Sequence, residues 1–353
     1  MKITTVHSFR ETIPLRLPFT IADNTNDSAT LHFLEVQSAC GLTGLGSASP
    51  SKRVTGESHD SCAAALKSLD FLKGEDARNL PRLLREAATA LPNNPAARAA
   101  LDMALHDLLA QRLEVPLTEL LGRCHTTLPT SITLGIRSLD ETLAEAQENN
   151  ARGFGVFKVK LGKSLEEDLE KLRRLREVLP EEAVLRVDPN QGYTLPDLQG
   201  LLACFDELRL EFIEQPLPVS ATDDLLKLSP EQRQWIALDE TLQSERDALQ
   251  FGFPERYCGI YNIKIMKSGG LEPARRIAQL AELGNIALMW GCNDESCVSL
   301  AAALHLALAC PNTRYLDLDG DLDLVRDPAV GGYEIRNGVL HLSNASGLGV
   351  RLR

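Results

Sequence analysis

The segment Val156–Leu161, VFKVKL, places two lysines two residues apart in a run of β-branched and aromatic residues. Such a run reads as a strand, and alternate side chains of a strand share a face, so Lys158 and Lys160 are neighbours. Two readings compete: an exposed edge whose lysines deter edge-to-edge pairing, or a lysine whose pKa a neighbouring cation lowers until it works as a base. Further along stand Asp188 in VLRVDPN, Glu214 in LEFIEQP and Asp239 in IALDET, then Lys264 in IYNIKIM and the pair Asp317 and Asp319 in RYLDLD.

The elements that would position these groups are short strand-like runs alternating with amphipathic helical ones after residue 125. The strand candidates are TSITLGI, VFKVKL, VLRVDPN, LEFIEQP, IALDET, IYNIKIM, ALMWGC and RYLDLD, eight in all. Lys160, Asp188, Glu214, Asp239, Lys264, Trp290 and Asp317 follow one another at intervals of 28, 26, 25, 25, 26 and 27 residues, the repeat of one βα unit after another. An α/β barrel of the (β/α)8 type buries every strand edge and works at the C-terminal ends of its strands. A doubly wound open sheet is the alternative, and it would set the same residues in a row.

In a ring, Asp188, Glu214 and Asp239 come from adjacent strands and converge on one side. Three acids in a dry site require a cation, and an all-oxygen donor set suits Mg²⁺ better than zinc. Lys160 and Lys264 stand four strands apart and face each other across the axis. Two bases on opposite sides of one carbon can take a proton from one face and return it to the other. Lys158 and the metal would both disfavour a charged Lys160. Asp317 and Asp319 share a face opposite Glu214, where they would meet a cationic end of the substrate. Strand parity puts Lys267 and Glu211 on the other face, as ordinary helix-side or surface residues.

The rest of the chain narrows the partners. It has 353 residues, 44% of them hydrophobic, and a net charge of −12 that argues against nucleic acid and anionic membranes. Cysteines 40, 62, 124, 204, 258, 292, 297 and 310 form no regular framework and read as reduced thiols. The segment MKITTVHSFRETIPL lacks the apolar run of a signal peptide and no stretch is apolar enough to span a bilayer, so the expectation is a cytoplasmic protein. NNPAARAALDMALHDLLAQRL reads as a helix capped by Asn94 with Pro95 in its first turn, and His106 as a packed residue. Gly41, Gly44 and Gly46 do not have dinucleotide spacing.

Taken together, the motifs KVK, RVDPNQGY, EQP, LDET, NIKIMKSGG and DLDG resemble the enolase superfamily, in its muconate-lactonising-enzyme-like subgroup, and look most like the dipeptide epimerases. The resemblance implies a (β/α)7β TIM-like barrel at 125–325, an N-terminal α+β capping domain at 1–124, and a segment at 326–353 returning to the cap. It implies Lys160 and Lys264 as the acid/base pair, with Lys158 assisting Lys160. Asp188, Glu214 and Asp239 would hold Mg²⁺, with Asn190 supporting them, and Asp317 and Asp319 would hold the α-ammonium of a dipeptide. Cap loops at 22–26 and 49–55, with Asn24 and Thr55, would join Asp294 at the substrate. The implied reaction inverts the α-carbon of the C-terminal residue by two-base proton transfer through a metal-stabilised enolate.

The resemblance implies a cation in the 20s loop of members that act on Ala-Glu; TIADNTND has no arginine, so Ala-Glu is disfavoured, and Asp23, Asp294 and Asp321 favour neutral or cationic dipeptides. The alternatives are an N-acylamino acid racemase or o-succinylbenzoate synthase, and a non-catalytic metal-binding barrel. A homo-oligomer is expected.

Overall fold

The computed structural model describes residues 1–21 and 24–353, without the side chains of residues 19, 21 and 24. Ala22, Asp23 and the Asn24 side chain, expected beside the substrate, therefore lie outside the described residues.

The chain opens with an antiparallel meander of β1 (Ile3–Ile21), β2 (Asn24–Ser38) and β3 (Thr43–Ala48). Four helices follow: α1 (His59–Lys67), α2 (Leu80–Ala90), α3 (Pro95–Arg112) and α4 (Leu117–Leu121). Alanines on α3 let β3 approach closely, and the glycines are the counterpart. A Cβ on Gly46 would lie 1.9 Å from the Ala100 carbonyl oxygen, and one on Gly44 would lie 2.0 Å from that of Ala104. Asn94 holds the N-cap position of α3 but makes no side-chain cap; Glu57 Oε2 instead accepts from Ala96 N at 2.8 Å. A loop carboxylate has taken over the orphan donor. His106 is packed, with Nδ1 2.5 Å from Asp102 Oδ1.

After β4 (Thr127–Pro129) come eight parallel strands hydrogen-bonded in chain order: β5 (Ile132–Leu134), β6 (Val156–Lys160), β7 (Val184–Asp188), β8 (Leu210–Glu214), β9 (Ile236–Leu238), β10 (Ile260–Ile263), β11 (Ala287–Gly291) and β12 (Thr313–Asp317). The ring closes where Thr130 bridges Leu316 and Ser131 N donates to the Leu316 carbonyl at 3.0 Å. This closure excludes the open sheet. Around it lie α5 (Leu139–Ala151), α6 (Leu165–Val178), α7 (Leu195–Ala203), α8 (Pro230–Gln234), α9 (Glu245–Gly252), α10 (Ile265–Ser268), α11 (Leu271–Leu283) and α12 (Cys297–Ala307). Inside the barrel, Phe212, Ala237, Ile260 and Met289 pack beneath the polar strand ends. Arg186 joins them, its guanidinium 5.3 Å from the Phe212 ring and 5.1 Å from that of Tyr315. The polar layer therefore rests on a dry floor.

The last residues form β13 (Ala329–Gly331), β14 (Tyr333–Arg336), β15 (Val339–Leu342) and β16 (Val350–Leu352), with β15 pairing β4. Main-chain bonds from Arg16 N to Asp323 O at 2.7 Å and from Val325 N to Pro14 O at 3.0 Å join this region to β1. Asp107 of α3 accepts from Leu45 N and Leu348 N, tying the cap sheet to the tail. No helix among the described residues is long and apolar enough to cross a membrane, and the eight cysteines are free thiols.

Candidate active site

Each strand end delivers its side chain through a specific local device. At the end of β7, Asn190 and Gln191 adopt left-handed backbone at φ 47° and 69°, and Asn190 N turns back to donate to Asp188 Oδ1 at 2.8 Å. Asn190 Nδ2 supports Asp188 Oδ2 at 3.2 Å. After β8, Gln215 accepts from Asp239 N at 3.0 Å and Thr241 N at 3.1 Å, locking the two strand ends together. Asn262 of β10 donates to Glu214 Oε1 at 2.8 Å from the face it shares with Lys264. Sequence reading passed over Gln215; its place directly after Glu214 was the available signal.

Lys160 and Lys264, on strands four apart in the ring, line one cavity of about 450 Å³ at the C-terminal end of the barrel. Lys160 Nζ donates to Asp188 Oδ2 at 2.6 Å and Lys264 Nζ lies 2.9 Å from Asp239 Oδ2. Lys158 Nζ sits among three acids, 2.8 Å from Glu214 Oε2, 2.8 Å from Asp317 Oδ2 and 3.3 Å from Asp188 Oδ2. Burial draws the Lys158 ammonium down, but Asp317, Glu214 and Asp188 outweigh it and hold it well above the usual lysine value. Asp188 Oδ2 stands between the two lysines, 2.6 Å from Lys160 Nζ and 3.3 Å from Lys158 Nζ.

Asp188, Glu214 and Asp239 are fully or almost fully buried. They lie close enough to repel: burial first, then the charge of Asp188, pushes Glu214 up to about 8. Asp239 is buried too, yet Lys264 and Lys267 hold its carboxyl well below the usual range. As these side chains stand, no three acids among the described residues gather as ready ligands, since ammonium groups occupy the space between them. The donor chemistry fits a hard divalent cation nonetheless. Three buried carboxylates near enough to act on one another seek positive charge, and Glu214 Oε2 makes no properly directed hydrogen bond even to the adjacent Lys158.

Lys267 corrects the parity argument. It is not a surface residue; its ammonium is buried against Asp239 Oδ1, because a helical turn begins at Ile265 and replaces the two-residue period. Glu211 is half-buried at the lower rim, bonded to Arg186 Nε at 2.7 Å.

On β12, Asp317 is committed to Ser131 Oγ at 2.6 Å and to Lys158, so an internal ammonium already holds the place expected for the substrate's. Asp319 lines the cavity, its Oδ2 accepting from Thr133 N at 2.7 Å and its Oδ1 lying 3.9 Å from Cys292 Sγ; burial and Asp317 push it up to about 7. Asp294 lines the cavity as expected, raised to about 6 by burial and Asp319. Asp321 does not: it faces a separate groove beside Arg326 and Arg353. Asp323, unremarked in the sequence, takes its place on the cavity wall and is raised to about 7 by burial and Asp294. Thr55 is also a correction. It is absent from the cavity wall, and its hydroxyl closes the 50s turn against Ser51 N at 3.0 Å and Ser51 O at 3.0 Å. Its neighbour Arg53 lines the cavity instead, 3.7 Å from Glu240.

Comparison with known proteins settles the kinship. Residues 3–122 match the mandelate racemase/muconate lactonizing enzyme N-terminal domain, and residues 141–353 match the enolase C-terminal domain-like family. An L-Lys-D/L-Arg epimerase of Methylococcus capsulatus is 53% identical over 99% of both chains. The chain belongs to the dipeptide epimerase family of the enolase superfamily. Another member of that family, an L-Lys-D/L-Arg epimerase of Desulforapulum autotrophicum, is 45% identical over 99% of both chains. The crystal structure of a dipeptide epimerase from Methylococcus capsulatus, complexed with Mg and the dipeptide L-Arg-D-Lys, superimposes with a TM-score of 0.98 over 99% of both chains at 53% identity.

Proposed function

We propose that this Mg²⁺-dependent dipeptide epimerase inverts the α-carbon of the C-terminal residue of dipeptides with cationic side chains. The observation that carries the reading is the placement of Lys160 and Lys264 on opposite strands of the ring, both lining one cavity. One Nζ removes the α-proton and the other delivers a proton to the opposite face. Asp188, Glu214 and Asp239 would hold Mg²⁺, which supplies positive charge against the negative charge that gathers on the substrate carboxylate. Asp319 takes the free ammonium, and Ser131 and Lys158 keep Asp317 ionised beside it.

The acidic wall of Asp294, Asp319 and Asp323 supports cationic side chains, as do the relatives named for Lys and Arg. Ala-Glu is disfavoured by the same wall. An N-acylamino acid substrate has no ammonium, so Asp319→Asn separates the readings: it weakens a free dipeptide and leaves an N-acyl substrate unaffected. A non-catalytic barrel predicts no exchange of any α-proton in D₂O. Eight free thiols support a cytoplasmic setting. The exposed Leu249, Phe253 and Leu283 support contact with a second copy of the chain.

A further inference from the structure

The chain leaves β10 as NIKIMKSGG, with Lys264 its last extended residue at φ −113° and ψ 121°. From Ile265 to Ser268 the backbone makes one helical turn, so residues three apart return to one side. Lys267 thereby comes back to the side of Lys264. The turn is gripped from outside as well. It ends on Gly269 and Gly270 at φ 89° and 127°, and a Cβ on Gly270 would lie 2.3 Å from Asp102 Oδ2 of α3. That same oxygen accepts from Glu272 N at 2.9 Å, fixing the cap helix to the start of α11.

An ammonium has three N–H groups. Lys267 Nζ directs them at Asp239 Oδ1, at the Asp239 carbonyl 2.6 Å away and at the Asn262 carbonyl 3.2 Å away, with its side chain 1% exposed. Among the described residues Lys264 pairs only with the other oxygen, Asp239 Oδ2, and it lines the cavity, which Lys267 does not. One carboxylate is therefore shared between a fixed cation and a working one. The Lys160 side is built differently: Lys158 shares with Lys160 the same oxygen, Asp188 Oδ2, at 3.3 Å, and Asp188 Oδ1 is held by the neutral main-chain amide of Asn190.

We infer that Lys267 is a positioning residue that pins Asp239 by one oxygen and by its main chain. The second oxygen is thereby presented to the cavity, and Lys264 can leave it without Asp239 turning away. This rests on reading Lys264 as one of the two proton-transferring groups and Asp239 as a holder of Mg²⁺.

Lys267→Met keeps the length and removes the charge. Mg²⁺ affinity of the full-length protein, by titration calorimetry, should weaken roughly 10–100-fold. In D₂O with Mg²⁺ raised to saturation, α-proton exchange on the side served by Lys264 should fall roughly 10-fold more than on the other side. Lys160→Ala identifies which diastereomer Lys264 serves. Lys267→Arg, which retains a cation, should recover part of the Mg²⁺ affinity. Unchanged Mg²⁺ affinity, or equal slowing of both sides, overturns the assignment.

Should neither variant fold, acylation of the unaltered protein decides. Mg²⁺ should increase labelling of Lys264 and leave Lys267 unlabelled by peptide mapping, and labelling of Lys267 at the Lys264 rate overturns the claim. If the unaltered protein exchanged neither diastereomer, the functional reading would fall, while Mg²⁺ affinity and labelling would still judge Lys267.

Discussion

The floor and the rim of the cavity are built on different terms. On the floor, Lys158, Lys160, Asp188, Glu214, Asp239 and Lys264 are buried at strand ends in two ion-paired clusters, Lys158 and Lys160 with Asp188 and Glu214, and Lys264 with Asp239. At the rim, Asp294 and Asp323 belong to loops, only partly buried, and they are raised first by burial and then by a neighbouring acid, Asp319 for Asp294 and Asp294 for Asp323. A paired, buried group is held to one geometry, as proton transfer demands. An unpaired acid on a loop has charge to offer whatever enters. On the proposed reading, the difference means that the floor would set the reaction and the rim the substrate, so that each half could be perturbed alone.

The largest effects belong to the floor. Lys160→Ala and Lys264→Ala should each cut epimerisation by roughly 10²–10⁴-fold, while one diastereomer still exchanges its α-proton in D₂O. Near-normal inversion by either variant would break the comparison at its root. Asp239→Asn should weaken Mg²⁺ binding by more than roughly 100-fold, measured by calorimetry, because on the proposed reading it removes a ligand rather than a support.

Between floor and rim stands Asp319. Asp319→Asn should raise KM for free dipeptides roughly 10–100-fold with little change in kcat, the loss expected for a charged hydrogen bond. A kcat effect of that size would move Asp319 into the floor.

The smallest effects belong to the rim. Asp323→Asn should raise KM for a Lys- or Arg-containing dipeptide about 5-fold and leave a neutral dipeptide unchanged. Its pH dependence follows. Burial and neighbouring acids raise Asp294 to about 6 and Asp323 to about 7, so both are charged only above those values. Cationic substrates should bind best above neutrality, with KM rising as pH falls through 7 to 6. The ligand-free fold should run the other way, losing stability as pH rises to about 7, because in that window the folded state holds protons the unfolded chain has released. Asp323→Asn should therefore raise Tm at pH 8 and leave it unchanged at pH 4.

The floor was the legible half. Strand ends recurring every 25 to 28 positions, all but the one at Trp290 marked by a charged residue, read as a repeated βα unit, and parity then tells which side chains point inward. That logic placed Asn262 beside Lys264 and Asn190 beside Asp188, where they are found. It failed at Lys267, three residues beyond the strand's last extended residue, because the backbone had already become helical. It failed at the rim for a related reason. Thr55, Asp321 and Asp323 sit in loops, where no period governs direction; a single residue decides whether a side chain faces the cavity or the groove behind it. The sharing of Asp317 between Ser131 and Lys158 depends on ring closure between β12 and the start of β5, which brings together residues 186 positions apart. No local pattern encodes that contact.

The most direct test is proton NMR of a Lys- or Arg-containing L,L-dipeptide in D₂O with the protein and Mg²⁺. The account predicts that the α-proton signal of the C-terminal residue disappears as the L,D diastereomer accumulates, while the N-terminal α-proton persists. An unchanged C-terminal signal, or exchange at the N-terminal residue instead, would contradict it.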